Sequence, residues 1–138
     1  MFWEELVDLL KHLPETQIFH TTLNEENATS DYCTWFLRIL TAAHLKSDPD
    51  RFVPFLEGDY CDIATFCSCE VEPMGKECGM VQVLALAECL AVKVIIEYMD
   101  GRELVGGKLT KHEYGPVTSG TLLTLLYRPG HYDILYAD

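Results

Sequence analysis

The sequence predicts an α+β fold, with helices in the first part of the chain and antiparallel strands at its C-terminal end. Three observations carry this prediction. Apolar residues recur at helical spacing as far as residue 90. From residue 91 the pattern changes to β-branched residues, with Val92, Val94, Ile96 and Tyr98 on one face and Lys93, Ile95 and Glu97 on the other. Arg128-Pro129-Gly130 then separates two apolar runs near the end, as the turn of a hairpin does. The 138 residues suit one domain over 1–138, with no internal repeat. A hydrophobic content of 49% places the chain with globular proteins and excludes the disordered class.

The elements follow in order. Phe2, Leu6, Leu9 and Leu10 share one face of a helix that Pro14 stops. Thr21 to Ser30 is polar and Asn-rich and reads as a solvated loop. Ser30 is a good N-cap for a longer helix, and Asp31 suits the positive end of its dipole. On that helix Tyr32, Trp35, Phe36, Ile39, Leu40 and Ala43 form the apolar face, with Thr34, Arg38 and Thr41 opposite. Asp48-Pro49-Asp50 opens a short helix carrying Phe52, Phe55 and Leu56, which Gly58 ends; residues 62–70 form another helical piece. The stretch 79–90 is apolar nearly all round, which predicts a buried helix. In the strand 91–99, Val92, Val94, Ile96 and Tyr98 share a face. The connection from Asp100 to Gly120 has no form that the pattern fixes. Residues 121–127 are apolar on both faces, as a central strand is. His131 to Tyr136 is the strand that pairs with it across the turn.

Charge narrows the function classes. The net charge of −12, from 22 acids against 10 bases, argues against nucleic acid as a partner, because phosphates would repel the surface. A basic protein surface is the better electrostatic match, although excess acid also serves plain solubility. No apolar run is long enough to span a membrane, and the acidic start lacks the features of a signal peptide. The six cysteines fit a reducing setting, the cytoplasm with the nucleus as a second compartment, better than a disulfide scaffold. Cys61, Cys67, Cys69 and Cys78 lack paired zinc-knuckle spacing and have no histidine nearby, so neither a metal nor a cofactor is expected.

One pair of residues carries chemistry. In the last strand His131, Asp133 and Leu135 point to one face, and side chains two apart stand roughly 6.6 Å from Cα to Cα. Asp133 at that spacing reaches the nearer imidazole nitrogen of His131, fixes its tautomer and stabilises the imidazolium. The other ring nitrogen is then left to activate a nucleophile. An ordinary strand with a polar face accounts for the same spacing.

The flanking motifs discriminate between the two. LYRPGHYDILY at 126–136 resembles the end of an otubain, a branch of the ovarian-tumour (OTU) family of cysteine deubiquitinases. EVEPMGK at 70–76 and LALAECL at 84–90 resemble that family's Val-Glu-Pro-Met motif and its Ala-Leu-Ala-containing helix. VIIEYMD at 94–100 and TWFLRILT at 34–41 match as well, and all stand in the family's order over about residues 30 to 138. The resemblance implies a papain-like cysteine-protease fold of the OTU type, with His131 as general base and Asp133 as its orienting acid. It also implies thiol-dependent hydrolysis of an isopeptide bond at the ubiquitin C-terminus. The implied partners are ubiquitin or polyubiquitin, and a ubiquitin-conjugating enzyme.

The family's nucleophile lies in an Asp-Gly-Asn-Cys-like motif, which is absent from this sequence. The matched region begins after that motif's place, so the chain is expected to be the C-terminal portion of the catalytic domain, without the nucleophile segment and inactive alone. Gly79-Met80 also departs from the Asp-His that otubains often carry there. Cys33 in the first turn of its helix and Cys78 just before the next sit where a helix dipole lowers a thiol pKa. Neither is followed by the small residues that build an oxyanion hole. Two other readings stand beside this one: a non-catalytic module that binds ubiquitin or a conjugating enzyme, and a structural fragment. Loss of a covering helix would leave apolar surface exposed and favour self-association.

Overall fold

The computed structural model describes residues 2–24 and 28–136. Helix α1 (Phe2–Lys11) is followed by α2 (Thr16–Asn24), α3 (Thr29–Ser47) and the single turn α4 (Pro49–Phe52), which a 3-10 turn at Val53–Phe55 extends. Next come α5 (Ile63–Phe66), continued by a π-helical turn at Cys67–Val71, and α6 (Met80–Cys89). Four strands complete the fold: β1 (Lys93–Tyr98), β2 (Thr110–Tyr114), β3 (Leu122–Arg128) and β4 (His131–Leu135). Helices first and strands last is the α+β order that the sequence predicts.

Helix α6 holds the layers together. Its residues Val81 and Ala85 join Ala42 and Leu45 of α3, Phe52, Ile63, Phe66, Cys67 and Val71 in one core cluster. Ala87, on its other side, belongs to a second cluster with Val94, Ile96, Tyr98 and Tyr114 of the sheet. A helix covered on both sides has no need of a polar face, which is why its sequence is apolar nearly all round. It ends at Ala91, a left-handed residue at φ 54°, with Ala91 N–H donating to Glu88 O and Val92 N–H to Ala87 O. This is the double bond of a Schellman motif, here without the usual glycine.

The sheet order is β2-β1-β3-β4. β1 pairs antiparallel with β2 and parallel with β3, and β3 pairs antiparallel with β4. The sheet is therefore mixed, where the sequence pattern predicts antiparallel strands throughout; alternation within a strand does not encode the direction of its partner. β3 is an inner strand, as its apolar run predicts, yet none of its residues is fully buried. β2 lies within the connection whose form the sequence leaves open. Its composition, TKHEY, is that of an exposed edge strand with polar alternation.

Two expectations about the helices are also corrected. The expected loop from Thr21 is helical through Asn24, as the end of α2, with residues 25–27 outside the described residues. This helix buries no residue fully, so it leaves little apolar periodicity to read. Helix α3 begins at Thr29 with Ala28 as its cap instead of Ser30, and it rotates relative to the expected face. It buries Cys33, Thr41, Ala42 and Leu45, while Trp35 and Ile39 stay about two-fifths exposed at 41% and 42%. Thr41 tolerates burial because its hydroxyl donates to Leu37 O at 2.8 Å. On the outer side α1 covers part of the aromatic stripe, with Phe2 against Tyr32 and Trp35, and Trp3 against Phe36.

Candidate active site

β4 places the predicted pair. With a two-residue turn at Pro129-Gly130, Arg128 pairs directly with His131, and Leu126 pairs with Asp133. Gly130 takes φ +76°, the left-handed value that makes glycine the natural residue there. Tyr132 points to the α6 side with Tyr127, so His131 and Asp133 stand on the opposite face, in one row with Leu126 and Glu97.

The two side chains meet. Asp133 Oδ1 lies 3.1 Å from His131 Nε2, and Arg128 Nη2 donates to Asp133 Oδ2 at 2.8 Å. Each carboxylate oxygen therefore has its own partner. The hydrogen bond from His131 first, and then the contacts of Arg128, hold the Asp133 carboxyl below the usual aspartate range. The nitrogen engaged is the distal one, where the sequence reading expects the nearer. Two residues along an extended strand leave a gap that the far edge of the imidazole spans best. Nδ1 thus makes no hydrogen bond among the described residues and is the nitrogen available to a nucleophile. Both side chains are open to water, at 59% and 45% exposure, so the pair is a surface ion pair in energetic terms.

Arg128 is a site residue that composition does not flag. Hairpin arithmetic does find it, because a two-residue turn at 129–130 puts 128 opposite 131. Glu77 is the other addition, and it lies too far away in sequence for any local signal. Its Oε1 accepts from the Tyr127 hydroxyl at 3.2 Å and from Gly130 N–H at 3.3 Å. Next to it, the Cys78 carbonyl accepts from the Tyr132 hydroxyl at 2.9 Å. Burial first, and then the Glu77 carboxylate, push the Tyr127 phenol up. A cleft of about 670 Å³ opens beside the turn, with Glu77, Asp100, Arg102, Tyr127, Pro129 and Tyr132 in its walls.

The cysteines make no hydrogen bond to this pair among the described residues, and all six are free thiols. Contrary to the helix-dipole expectation, burial pushes the Cys33 thiol up, and Glu5 adds to the rise. Burial also raises Cys78 despite partial relief from Arg38, and it raises Cys67 to about 11. Among the described residues no cluster of three His, Cys, Asp or Glu side chains is arranged to hold a metal ion.

Comparison with known proteins gives a consistent result. The pattern of the family described as Peptidase C65 Otubain matches residues 1–137. The chain is 44% identical over 111 residues to the ubiquitin thioesterase OTUB1 of Homo sapiens, covering 80% of this chain and 40% of that protein. It is 35% identical over 150 residues to an ovarian tumor domain-containing deubiquitinating enzyme of Arabidopsis thaliana, covering 99% and 49%. The chain spans about half or less of the length of these curated relatives. Among solved structures, it resembles a ceOTUB1 ubiquitin aldehyde UBC13~Ub complex with a TM-score of 0.85 at 28% identity, covering 99% of this chain and 56% of that one. The OTUD1 OTU domain, with a TM-score of 0.56 at 23% identity over 79% of this chain and 70% of that one, shares the fold.

Proposed function

The chain belongs to the otubain family of peptidases, and from that membership we propose that it carries the base and orienting acid of a ubiquitin-specific cysteine peptidase. The observation that supports this most directly is the His131–Asp133 contact at 3.1 Å on an exposed strand end. In such a reaction His131 takes the proton of a thiol, and the thiolate attacks the carbonyl at the ubiquitin C-terminus. The imidazolium, steadied by Asp133, then gives its proton to the departing lysine amine. Water hydrolyses the thioester to free the thiol and the ubiquitin carboxylate. That no cysteine among the described residues hydrogen-bonds His131 supports the reading of the chain as inactive alone. The free thiols support a reducing compartment, the cytoplasm with the nucleus second.

A second reading, as a binding module for ubiquitin or a ubiquitin-conjugating enzyme, draws on the likeness to complexes that contain both. The net charge of −12 suits a basic partner face. A ubiquitin-derived probe with a C-terminal electrophile is expected to leave all six cysteines unmodified; an adduct on any of them would overturn the reading of the chain as inactive alone. Titration with labelled ubiquitin is expected to saturate, and a linear, non-saturating signal would remove the module reading.

A further inference from the structure

The segment between the π-helical turn and α6 is held at both ends by side chains from distant parts of the chain. On the α3 side, Arg38 Nη1 donates to Val71 O at 2.9 Å, and its Nη2 donates to Lys76 O. The guanidinium forks across the loop and ties its two ends together, a task that needs planar, divergent donors. On the sheet side, Glu77 accepts from Tyr127 and Gly130, and Cys78 O accepts from Tyr132. All three donors belong to the β3–β4 hairpin, and Gly130 is the residue immediately before His131.

We propose that Arg38 and Glu77 are positioning residues for His131, acting through loop 71–78 as a strut between α3 and the hairpin turn. This rests on the reading of His131 and Asp133 as base and orienting acid. The need for a strut follows from the sheet. β4 is an edge strand, so within the sheet only β3 fixes the height and tilt of its turn. The His131–Asp133 and Arg128–Asp133 contacts lie within the hairpin, so they fix the ring relative to the hairpin alone. Glu77 supplies what they lack, a bond from the turn backbone to the helical layer. Arg38 sets where Glu77 stands, because its second contact is the carbonyl directly before Glu77. A catalytic base must be held within a fraction of an ångström of its working position, and an unbraced turn is a poor mount for one.

The test reads the free chain by NMR. In Glu77→Ala, the Gly130 amide is expected to exchange about tenfold faster, as for loss of a hydrogen bond to a charged acceptor. The His131 ring should keep the Nε2–H tautomer that Asp133 sets within the hairpin, while the through-space contacts between the Tyr127 and Tyr132 rings and residues 77–78 should weaken. Glu77→Gln keeps an acceptor oxygen and should restore both signals toward the wild type, which a merely structural role would not require. Arg38→Lys, which cannot fork across two carbonyls, should give an intermediate change at Gly130. Unchanged Gly130 exchange and unchanged contacts between the hairpin and residues 77–78 in Glu77→Ala would overturn the proposal. So would an equal acceleration at every amide of β1 and β3, which marks global loosening. Ubiquitin titration of the wild-type chain is a separate measurement, so failure of the strut and failure of the functional reading are told apart.

Discussion

Asp133 is where the charge of the site is decided. It has two partners, and the larger effect on its carboxyl comes from His131. Because its folded pKa lies below the unfolded value, its contribution to stability is present above about pH 4 and is lost as pH falls through the folded pKa. The carboxyl carbon shift should therefore titrate with a midpoint below that of an ordinary aspartate. In His131→Ala the midpoint should rise toward the ordinary value, with part of the depression retained through Arg128; an unmoved midpoint would show that the imidazole contact is not its main cause. The same residue shows how far a strand reading reaches. Period two put His131 and Asp133 side by side, as the structure has them, but it assigned the wrong ring nitrogen. Which nitrogen is engaged depends on side-chain reach, which periodicity does not encode.

At the scale of elements, two turns make opposite predictions. Ala91 adopts φ 54° at the end of α6, where glycine carries no Cβ penalty. Ala91→Gly should raise stability by about 0.5 kcal/mol in denaturant melts, the left-handed penalty less the added unfolded-state entropy. Gly115, just after β2, has φ +86°, and an added Cβ would come 2.2 Å from Val92 O. Gly115→Ala should cost at least about 2 kcal/mol in the same assay, since backbone atoms must move. The helices other than α2, with β1, β3 and the hairpin, are legible because their apolar spacing or turn residues are strong. α2 and β2 are not, because both lie at the surface and carry little apolar contrast. The rotation of α3 escaped for a related reason: satisfied Thr41 is buried, and aromatic residues are left part-exposed. Arg38 and Glu77 form contacts across 33 and 53 residues, which no local pattern contains.

Across the whole molecule, apolar exposure and charge oppose one another. Leu122, Leu123, Ile134 and Tyr136 are 59%, 37%, 54% and 86% exposed on β3, β4 and the residue after it, and Trp3 is 58% exposed on α1. Such surface favours association, while a net charge of −12 resists it. Sedimentation should therefore show a mass that grows with concentration and grows faster in 0.5 M salt, about where the screening length falls to 4–5 Å. A monomer at every salt concentration would contradict this. The parallel pairing of β1 with β3 also has a kinetic consequence. β3 reaches β1 only after the chain has passed through β2, so this ladder closes a long loop, whereas the β3–β4 hairpin closes over two residues. Pulse-labelled refolding should protect the hairpin amides first and the β1–β3 ladder later. In that order the histidine meets its aspartate early, and the sheet brings it to its neighbours last.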